Sequence, residues 1–534
     1  MESWDYIVAG AGSAGCIVAR RLSDDPTVRV LLLEAGERPD NFWIRTPAGM
    51  AKVIGAERFD WRYMTEPNPE LDGRLIPSPR GKALGGSSAI NGMVYTRGNR
   101  RDYDHWASLG NRGWAWDDVL PYFKGLEDNA RGVSEFRGVG GPMRVGDVAP
   151  VSRAVLAFIE AAAECGVTPQ EDLSVVGEEG VGRLQATIHR GLRQTAYEAF
   201  IGPVRSRRNL TVWSNVHVRR VLLENREARG VEILQGGMVR HVSATREIIL
   251  SAGALNTPQL LMLSGIGNGD HLSRMGIAAQ VHAPGVGQNL QDHCSVHVKV
   301  SARRGWSYNS NLSGWRKYWE GFKYVAVRKG YLTASSTPAA AFTRSSSEIA
   351  YADLEIGFRP ITFTYAPSGL VMVDPTPAVS ANVYRVRPSS RGEILLKSPD
   401  AMQAPEVHTN FMSAPDDMRA TIAGIRQIRQ IFAAAPLAGA VEAEISPGPS
   451  LRTDDALAGF IRKNGKSAYH PVGTCRMGSD GSAVVDDRLR VRGIGRLRVI
   501  DASIMPTLTS GNTAAPSMMI GEKGAALLAE DARL

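Results

Sequence analysis

Short apolar runs alternate with a glycine-rich turn at the start of the chain. Apolar residues fill most of positions 6–9 and 28–33, and the segment CIVARRLSD lies between these two runs. This segment has the length of a helix of about ten residues, and two buried runs that flank such a helix are typical of a strand–helix–strand unit with parallel strands. The pattern therefore predicts an α/β unit at the beginning of the chain.

A second pattern appears further along the chain. Residues 230–235 and 238–243 lie on either side of Gly236 and Gly237, and an apolar run follows at 248–250. Two short segments joined by a pair of glycines are typical of a β-hairpin. We therefore predict a hairpin here, followed by a strand at 248–250.

Residues 300–460 differ in character from the start of the chain. They carry aromatic-rich and alternating segments such as YADLEIGF, ANVYRV and GEILLK. Alternation of this kind is typical of antiparallel sheets that are covered on one side. The last part of the chain returns to glycine-rich turns and ends in a predicted helix, SMMIGEKGAALLAED. The expected architecture is an α/β domain, α+β overall, interrupted by a second domain built on an antiparallel sheet with helices.

Length and composition narrow the class of protein. The chain has 534 residues, of which 43% are hydrophobic and 22% charged. At about 150 residues per domain, this length exceeds one compact core. The composition excludes disordered and fibrous classes. No run of about 18 apolar residues occurs, so we expect no transmembrane helix.

Charge and cysteine content exclude further classes. The 62 basic residues exceed the 54 acidic residues by eight, a small excess for this length, and we expect no binding to nucleic acid. Four cysteines without a CxxC spacing support neither a disulfide framework nor a structural zinc site. Because no charged and apolar leader precedes the first strand, the expected location is cytoplasmic.

The turn after the first predicted strand has the spacing of a dinucleotide-binding loop. Gly10, Gly12 and Gly15 form G-x-G-x-x-G, and Glu34 ends the second predicted strand. These glycines allow a tight turn, close approach of a pyrophosphate to the backbone, and close packing of helix on strand. A carboxylate at the position of Glu34 binds a ribose hydroxyl and repels a 2′-phosphate. Both NAD and FAD satisfy this pattern.

Five longer motifs favour FAD. They are GKALGGSSAINGMVYTRGNRRDYDHW at 81–106, SAGALNTPQLLMLSGIG at 251–267, VGQNLQDH at 286–293, YHPVGTCRMG at 469–478 and DASIMPTLTSGNTAAPSMMIGEK at 501–523. In this order, from about residue 5 to about residue 530, the chain resembles the glucose-methanol-choline (GMC) oxidoreductase family. The resemblance implies a Rossmann-like FAD-binding domain at 1–154, 195–299 and 467–534. It implies a discontinuous substrate-binding domain at 155–194 and 300–466.

The same resemblance implies which residues contact FAD. Val218 matches the position that meets the adenine, and Ile90 stands where some members attach FAD to a histidine, so we expect non-covalent FAD. The implied cofactor-binding residues are Gly10, Gly12, Ser13, Ala14, Gly15, Glu34, Ala35, Gly85, Gly86, Ser87, Asn91, Gly92, Val94, Val218, Asp501, Ala502, Asn512 and Thr513.

His470 and Asn512 are the predicted catalytic pair. His470 precedes a proline, which biases its backbone toward an extended conformation, and imidazole is suited to removing a hydroxyl proton near neutral pH. The resemblance implies that Asn512 donates a hydrogen bond to the alcohol oxygen. Many relatives carry a second asparagine at the position of Ala514. We predict that the last helix starts at Pro516 and that its N-terminus faces the flavin.

Two other groupings are weaker candidates. His293, Cys294 and His297 lack a further ligand at matching spacing, so we expect no metal site. Aromatic residues recur at helical spacing at Trp315, Tyr318, Trp319 and Phe322. Such a stripe is more often core or interface than a substrate contact.

The predicted reaction is oxidation of an alcohol by transfer of a proton to His470 and a hydride to the flavin. The predicted substrate is an apolar or aromatic primary alcohol, because few acids accompany the aromatic residues of 351–387. These are Tyr351, Phe358, Phe363, Tyr365 and Tyr384. The expected electron acceptor is a quinone or another carrier. An oxidase that uses O2, an FAD-containing lyase on the same fold, and a noncatalytic flavoprotein or nucleotide sensor are the alternatives.

Overall fold

The computed structural model describes residues 3–173, 179–365 and 371–533. Its α-helices are α1 Ser13–Leu22, α2 Phe42–Arg45, α3 Met50–Val53, α4 Arg100–Ser108, α5 Trp116–Leu126, α6 Arg153–Glu164, α7 Gly253–Leu263, α8 Gly269–Arg274, α9 Asn309–Leu312, α10 Arg316–Val327, α11 Pro415–Ala433, α12 Ala435–Ala438, α13 Asp454–Asn464 and α14 Ala514–Asp531.

The first half of the chain holds the following strands: β1 Ser3–Ala9, β2 Val30–Leu33, β3 Tyr63–Met64, β4 Pro77–Ser78, β5 Glu127–Asn129, β6 Met143–Asp147, β7 Gly180–Arg183, β8 Gln185–Ala186, β9 Ile188–His189, β10 Leu192–Arg193, β11 Leu210–Trp213, β12 Val216–Glu224, β13 Glu227–Gln235 and β14 Met238–Leu250. The remaining strands are β15 Ile266–Gly267, β16 Val281–His282, β17 Cys294–Ala302, β18 Ala339–Thr343, β19 Leu354–Arg359, β20 Phe363–Tyr365, β21 Val371–Val373, β22 Ala378–Arg385, β23 Glu393–Leu395, β24 Glu406–His408, β25 Val441–Ser446, β26 Lys466–Ser467 and β27 Leu497–Val499.

The first of two seven-stranded sheets contains the strand–helix–strand unit. Its strand order is β11, β2, β1, β14, β13, β12, and β27 also pairs with β14. Strands β1, β2 and β11 run parallel, as do β1, β14 and β27, whereas β12, β13 and β14 form an antiparallel meander. Side chains from α1, α7 and α14 join those of this sheet in one apolar core. Apolar side chains therefore cover both faces of the parallel part of the sheet, as is typical of parallel strands.

The second seven-stranded sheet is antiparallel, with the order β25, β17, β22, β19, β18, β7, and β26 also pairs with β17. One of its faces is apolar and contributes Val296, Ile356 and Val383 to a core that includes residues of α6 and α11. The alternating residues on these strands point to the opposite face, because successive side chains of a strand alternate. That opposite face is polar and turns toward the first sheet.

The α/β fold with a second, antiparallel sheet and helices is confirmed. The hairpin is also confirmed, but the apolar run at 248–250 is the end of β14 itself, so hairpin and strand are continuous. Strand β17 crosses the predicted domain boundary at residue 299. The described residues contain no helix that is both long and apolar enough to span a bilayer.

The start of the last helix is corrected. Helix α14 begins at Ala514, two residues before Pro516, because the turn after Gly511 already places Thr513 at the N-cap. Proline is tolerated in a first turn, where its missing N–H has no partner within the helix.

Candidate active site

A cavity lies between the two sheets and takes its walls from both of them. It is bordered by His470 and Asn512 and by most of the residues that the sequence assigned to the cofactor. The members of that set on its wall are Gly10, Gly12, Ser13, Ala14, Glu34, Ala35, Gly86, Ser87, Asn91, Gly92, Val94, Val218, Asp501, Ala502, Asn512 and Thr513.

Gly15 and Gly85 lie behind the residues that line the cavity, and their assignment as cofactor contacts stays a prediction. A Cβ on Gly15 would lie 1.9 Å from the carbonyl oxygen of Gly10, so this glycine allows α1 to pack against β1. Gly85 has φ +99° and donates its N–H to the Ala11 carbonyl at 2.7 Å. Both glycines therefore shape the loops around the N-terminus of α1.

Two glycine-rich loops meet at the N-terminus of α1. Gly12 is the N-cap of α1, and no side chain caps it there. A Cβ on Gly86 would lie 2.7 Å from the Cα of Gly12, so the second loop fits against the first only without a side chain. Free N–H groups at a helix N-terminus, approached closely by bare backbone, favour a bound pyrophosphate.

Glu34 is held at the end of β2 by backbone amides. Its carboxylate accepts hydrogen bonds from Ala11 N at 3.0 Å and Gly36 N at 2.8 Å. Burial raises the pKa of Glu34 to about 7 in spite of these bonds. Each carboxylate oxygen has a second lone pair, so Glu34 can still accept a bond from a ribose hydroxyl.

Arg193 is a buried arginine that was not predicted from the sequence. It holds the loop that follows Gly85 and Gly86. Arg193 donates to the carbonyl of Asn91 at 2.7 Å and to its side-chain oxygen at 2.8 Å. It also donates to the Ile44 carbonyl at 2.8 Å, and its burial lowers its pKa to about 9. Because Arg193 lies more than 100 residues away in the chain, local sequence gives no signal for this contact.

The loop that carries His470 is fixed by Asp292. The carboxylate of Asp292 accepts from the backbone N of His470 at 2.8 Å and from the hydroxyl of Ser467. Ser467 in turn accepts from Tyr469 N at 2.8 Å. These bonds place the imidazole on the cavity wall without using its ring nitrogens.

His293 determines the tautomer of His470. The Nε2 of His293 lies 2.8 Å from the Val386 carbonyl, which can only accept, so this nitrogen carries the proton. The Nδ1 of neutral His293 is then an acceptor, and it lies 2.9 Å from Nδ1 of His470. His470 therefore donates through Nδ1 and keeps a lone pair on Nε2.

Both imidazoles are held neutral by their surroundings. Burial lowers the pKa of His293 to about 4. Burial, together with His293, Arg80 and Arg359, keeps the pKa of His470 well below its usual value of 6.5. At neutral pH the Nε2 of His470 is thus free to accept a proton.

Asn512 faces this lone pair. Its amide Nδ2 donates to Nε2 of His470 at 2.9 Å, and its backbone N donates to Thr96 Oγ1 at 3.1 Å. Asp102 holds the preceding turn, because its carboxylate accepts from Ser510 N at 2.7 Å. An alcohol hydroxyl that enters between the two side chains can replace their direct bond, donating to His470 and accepting from Asn512.

The start of α14 lies beside this pair. Thr513 and Ala514 line the cavity, so the positive end of the helix dipole is directed at it. The carboxylate of Asp501 is occupied by Gly253 N at 2.8 Å and Thr257 Oγ1 at 2.6 Å. Asp501 therefore positions the turn rather than offering its side chain to a ligand.

The polar face of the second sheet forms the wall opposite the first sheet. Glu355 and Tyr384 share a side-chain hydrogen bond, and burial raises the pKa of Glu355 to about 7. Glu355 Oε2 and Asn382 Oδ1 are buried and have no hydrogen-bond partner in the structure. Ser295, His297, Thr337, Arg359 and Lys466 also line the cavity.

The aromatic residues of 351–387 do not act together, which corrects that expectation. Phe363 and Tyr384 line the cavity. Tyr351 is on the surface beside Arg101 and Arg387. Phe358 is in the apolar core on the other face of the sheet, where it stacks on Phe158. The side chain of Tyr365 lies outside the described residues.

The suspected metal-ligand group is divided by the structure. His293 contacts His470, whereas Cys294 is on the opposite face of β17, in the apolar core, and His297 lines the cavity. The described residues hold no group of three His, Cys, Asp or Glu side chains arranged to bind a metal. The sequence signal for His293 was its place in VGQNLQDH, next to Asp292.

Models of known protein families match two parts of the chain. Two family models described as GMC oxidoreductase match the chain, the N-terminal model at residues 4–295 and the C-terminal model at 388–521. The chain belongs to the GMC oxidoreductase family. It is an FAD-dependent oxidoreductase that acts on CH–OH groups.

Relatives of this GMC oxidoreductase cover nearly its whole length. It is 40% identical over 529 residues to an alcohol dehydrogenase [acceptor] of Pseudomonas putida, covering 98% of this chain and 95% of that protein. It is 39% identical over 521 residues to an oxygen-dependent choline dehydrogenase of Brucella anthropi, covering 97% and 94%. Among solved structures, pyridoxine 4-oxidase from Mesorbium loti matches with a TM-score of 0.88 at 33% identity, covering 99% of both chains. A formate oxidase variant of Aspergillus oryzae matches with a TM-score of 0.93 at 28% identity, covering 100% and 99%.

The residues on the cavity wall fit FAD. The bare backbone of Gly12 and Gly86 at the N-terminus of α1 suits the pyrophosphate, and Glu34 suits a ribose hydroxyl. Val218, His470 and Asn512 line the same cavity. The cavity therefore offers groups for the nucleotide part of FAD and a pair of reactive side chains for the substrate.

Proposed function

We propose that this GMC oxidoreductase oxidises a primary alcohol to the aldehyde, with His470 as the base. The observation that carries this proposal is the pair of contacts of His470, from Nδ1 to His293 at 2.9 Å and from Nε2 to Asn512 at 2.9 Å, which leave the lone pair on Nε2. His470 accepts the hydroxyl proton, and Asn512 holds the alcohol oxygen. FAD, when bound, would supply the acceptor of the hydride from the alcohol carbon, at its atom N5.

The chain's own residues account for orientation and proton transfer. Removing the proton raises the electron density on the alcohol oxygen and weakens the adjacent C–H bond, and a positioned base contributes about 10²- to 10⁴-fold to such a step. Tyr384 and Asn382, both buried, limit access of water from the side of the second sheet. Exclusion of water strengthens the hydrogen bonds that hold the alcohol.

The cofactor-binding set of this proposal consists of the cavity-lining residues named above, with FAD held non-covalently. Ile90, an apolar residue on the cavity wall, supports this because its side chain offers no atom for a covalent bond to the flavin. Denaturing the purified protein should therefore release its flavin completely into the supernatant. Flavin that stays with the precipitated chain would contradict non-covalent binding.

The proposed electron acceptor is a quinone or another carrier. The similarity to an alcohol dehydrogenase [acceptor] supports this choice, whereas the similarity to pyridoxine 4-oxidase supports an oxidase. Turnover with a quinone or dye under argon, together with slow oxygen uptake in air, is the expected result. Peroxide release at the rate of alcohol oxidation would establish the oxidase instead.

The test of the reaction is anaerobic mixing of the holoenzyme with a panel of alcohols while the visible flavin absorbance is followed. We expect at least one alcohol to bleach the flavin. His470→Ala should keep its flavin and lose about 10²- to 10⁴-fold in the rate of bleaching. His105→Ala, which changes an exposed histidine on α4, is the matched control and should react at the rate of the unchanged protein.

Two results would decide against the proposal. Bleaching of His470→Ala at the rate of the control would remove His470 from the reaction. A flavin that no alcohol bleaches, in a protein that nevertheless splits or forms a C–C bond at a hydroxyl carbon, would establish the lyase.

A further inference from the structure

Helix α10 carries its aromatic residues on the outside of the molecule. Trp315, Tyr318, Trp319 and Phe322, which the sequence pattern assigned to a core or an interface, are 54–72% exposed. The buried residues of the helix are instead Glu320 and Tyr324. A helix that hides a glutamate and exposes two tryptophans and a phenylalanine has its apolar side directed away from the protein core.

The short helix α2 extends this apolar surface. Phe42 and Trp43 are exposed, and the ring of Phe42 packs edge-on against Tyr324 of α10, with ring centroids 6.0 Å apart. Across the ranges that the structure describes, every exposed tryptophan or phenylalanine lies on α2, on α10 or at the N-cap of α10. We call this surface the aromatic patch: Phe42, Trp43, Trp315, Tyr318, Trp319, Phe322, Val325 and Val327.

The segment around the aromatic patch is strongly basic. Residues 303–331 contain seven arginines and lysines and one acidic residue, Glu320. Glu320 is buried and forms an ion pair with Lys323, so it neutralises that one charge and leaves the other six basic residues without an acidic residue in this segment. Arg316 and Lys317 lie over the rings of Trp315 and Tyr318. The exposed surface is therefore aromatic in the middle and positively charged around it.

This combination fits the surface of a bilayer that contains anionic phospholipids. Tryptophan and phenylalanine insert at the boundary between headgroups and acyl chains, and lysine and arginine extend their charges to the phosphates. A second copy of the chain suits the surface less well, because a symmetric dimer would bring two positive surfaces together. Charge complementarity thus selects the anionic lipid surface as the partner.

The aromatic patch is connected to α3, a helix that lines the cavity. A turn at Pro47–Gly49 joins α2 to α3, and Met50 and Ala51 of α3 line the cavity. The turn that follows α10, Tyr331–Thr333, contacts the Pro47–Gly49 turn. A bilayer bound to the patch would therefore lie beside the wall of the active-site cavity.

We propose that α10 and α2 form a peripheral binding site for anionic phospholipid bilayers. The aromatic side chains enter the headgroup region, and the basic residues of 303–331 supply the attraction to the phosphates. The proposal does not depend on the reaction, because binding to lipid requires no turnover.

The test is co-sedimentation of the full-length holoenzyme with vesicles. We expect binding to phosphatidylcholine vesicles that contain phosphatidylglycerol, weaker binding to phosphatidylcholine alone, and weakening by salt. The triple variant Trp315→Ala, Trp319→Ala, Phe322→Ala should lose most of the binding to both kinds of vesicle. Lys317→Glu should weaken binding to the anionic vesicles about fivefold for each unit of charge changed.

Controls separate this effect from misfolding and from dimerisation. Met238→Ala with Val239→Ala alters two exposed apolar residues on the β13–β14 hairpin and should leave vesicle binding unchanged. Bound flavin and unchanged bleaching by alcohol show that each variant is folded. Equal sedimentation of the unchanged protein and the triple variant would overturn the proposal. So would a dimer in light scattering that the triple variant dissociates, without any binding to vesicles.

Discussion

His293 and His470 together determine which ring nitrogen of His470 carries the lone pair. In the proposed reaction, Nε2 of His470 holds the lone pair that accepts the proton. His293 keeps the proton of His470 on Nδ1 by accepting a hydrogen bond from it, with the two Nδ1 atoms 2.9 Å apart. His293 can accept only because its own Nε2 is bound to the Val386 carbonyl. His293 is thus a positioning residue: it acts through His470 rather than on the alcohol.

His293→Phe should therefore lower kcat by about 10²-fold with a smaller effect on KM, because His470 then has no fixed tautomer. Phenylalanine keeps a ring against Tyr384, whose ring centroid is 4.4 Å from that of His293. His271→Phe is the matched control: it removes a buried histidine that accepts from Leu396 N at 3.0 Å, away from the cavity. Equal losses in kcat for both variants would show that His293 has a merely structural role.

The lowered pKa of His470 has a direct consequence for the pH dependence. The base is lost when His470 takes up a proton, and this occurs below its usual pKa of 6.5, because burial and the neighbouring positive groups disfavour the charged form. The acid limb of the kcat/KM profile should therefore lie below pH 6.5. In His293→Phe this limb should move to higher pH, because His293 is one of the groups that lower the pKa of His470. An acid limb at or above pH 6.5 in the unchanged enzyme would contradict the assignment of His470 as the neutral base.

Gly86 lies in the loop that packs against Gly12, and replacing it tests whether this contact is needed to bind FAD. In Gly86→Ala the new Cβ would lie 2.7 Å from Cα of Gly12, so the two loops must separate and the N-terminus of α1 loses its shape. We expect a large drop in bound flavin per chain. Gly237→Ala has a comparable positive φ but nothing within 4 Å of the new Cβ, so it should cost only about 1 kcal/mol in stability and keep its flavin. Full flavin content in Gly86→Ala would show that the contact is dispensable.

At the level of elements, the second sheet has two chemically different faces. Its apolar residues pack on α6 and α11, whereas Glu355 and Asn382 point into the cavity with unpartnered oxygens. Alternation along the strands made the sheet predictable from the sequence. It did not reveal which face meets the cavity, because that depends on how the two sheets are packed together.

The polar wall favours a substrate that donates hydrogen bonds, whereas the sequence favours an apolar or aromatic alcohol, and the choice between the two stays a prediction. A Cβ on Gly511, next to Asn512, would lie 3.3 Å from Glu355 Oε2, so this oxygen is close to the catalytic pair. Glycerol should therefore have a kcat/KM well above that of propanol, by about 10-fold or more, because propanol leaves a buried acceptor unpaired. Glu355→Gln should reduce this ratio, and Glu442→Gln, at an exposed position on β25, should not. A higher kcat/KM for propanol would support the apolar alcohol.

The motifs that line the cavity could be recognised in the sequence, whereas the side-chain contacts between distant motifs could not. His470, Asn512 and Gly12 stand in motifs that resemble those of the family, and the structure brings all three to one cavity. The contact of His293 with His470 and the role of Arg193 were missed because these contacts join positions 177 and 102 residues apart in the chain. Contacts of this kind arise from the packing of loops onto a common cavity, and neither local periodicity nor a single motif encodes them.

For the molecule as a whole, the cavity joins segments from both ends of the chain. Its wall takes Gly12 from the first turn, Val218 from β12, Glu355 from the second sheet and Thr513 from the start of α14. A ligand that contacts all of these segments stabilises the folded state by mass action, by about 2.7 kcal/mol at a concentration 100-fold above its Kd. Since FAD is proposed to be non-covalent, the Tm should depend on the concentration of free FAD.

Thermal unfolding of the flavin-depleted protein, followed with increasing FAD, measures this dependence. We expect Tm to rise continuously with FAD, and we expect unfolding by tryptophan fluorescence and by flavin release to coincide, because the cofactor ties the two sheets together. Riboflavin should raise Tm much less at the same concentration, because it lacks the pyrophosphate and ribose that the N-terminus of α1 and Glu34 are placed to bind. Equal stabilisation by riboflavin would show that the glycine loops contribute little to binding, and it would contradict the assignment of the first sheet as the nucleotide side of the cavity.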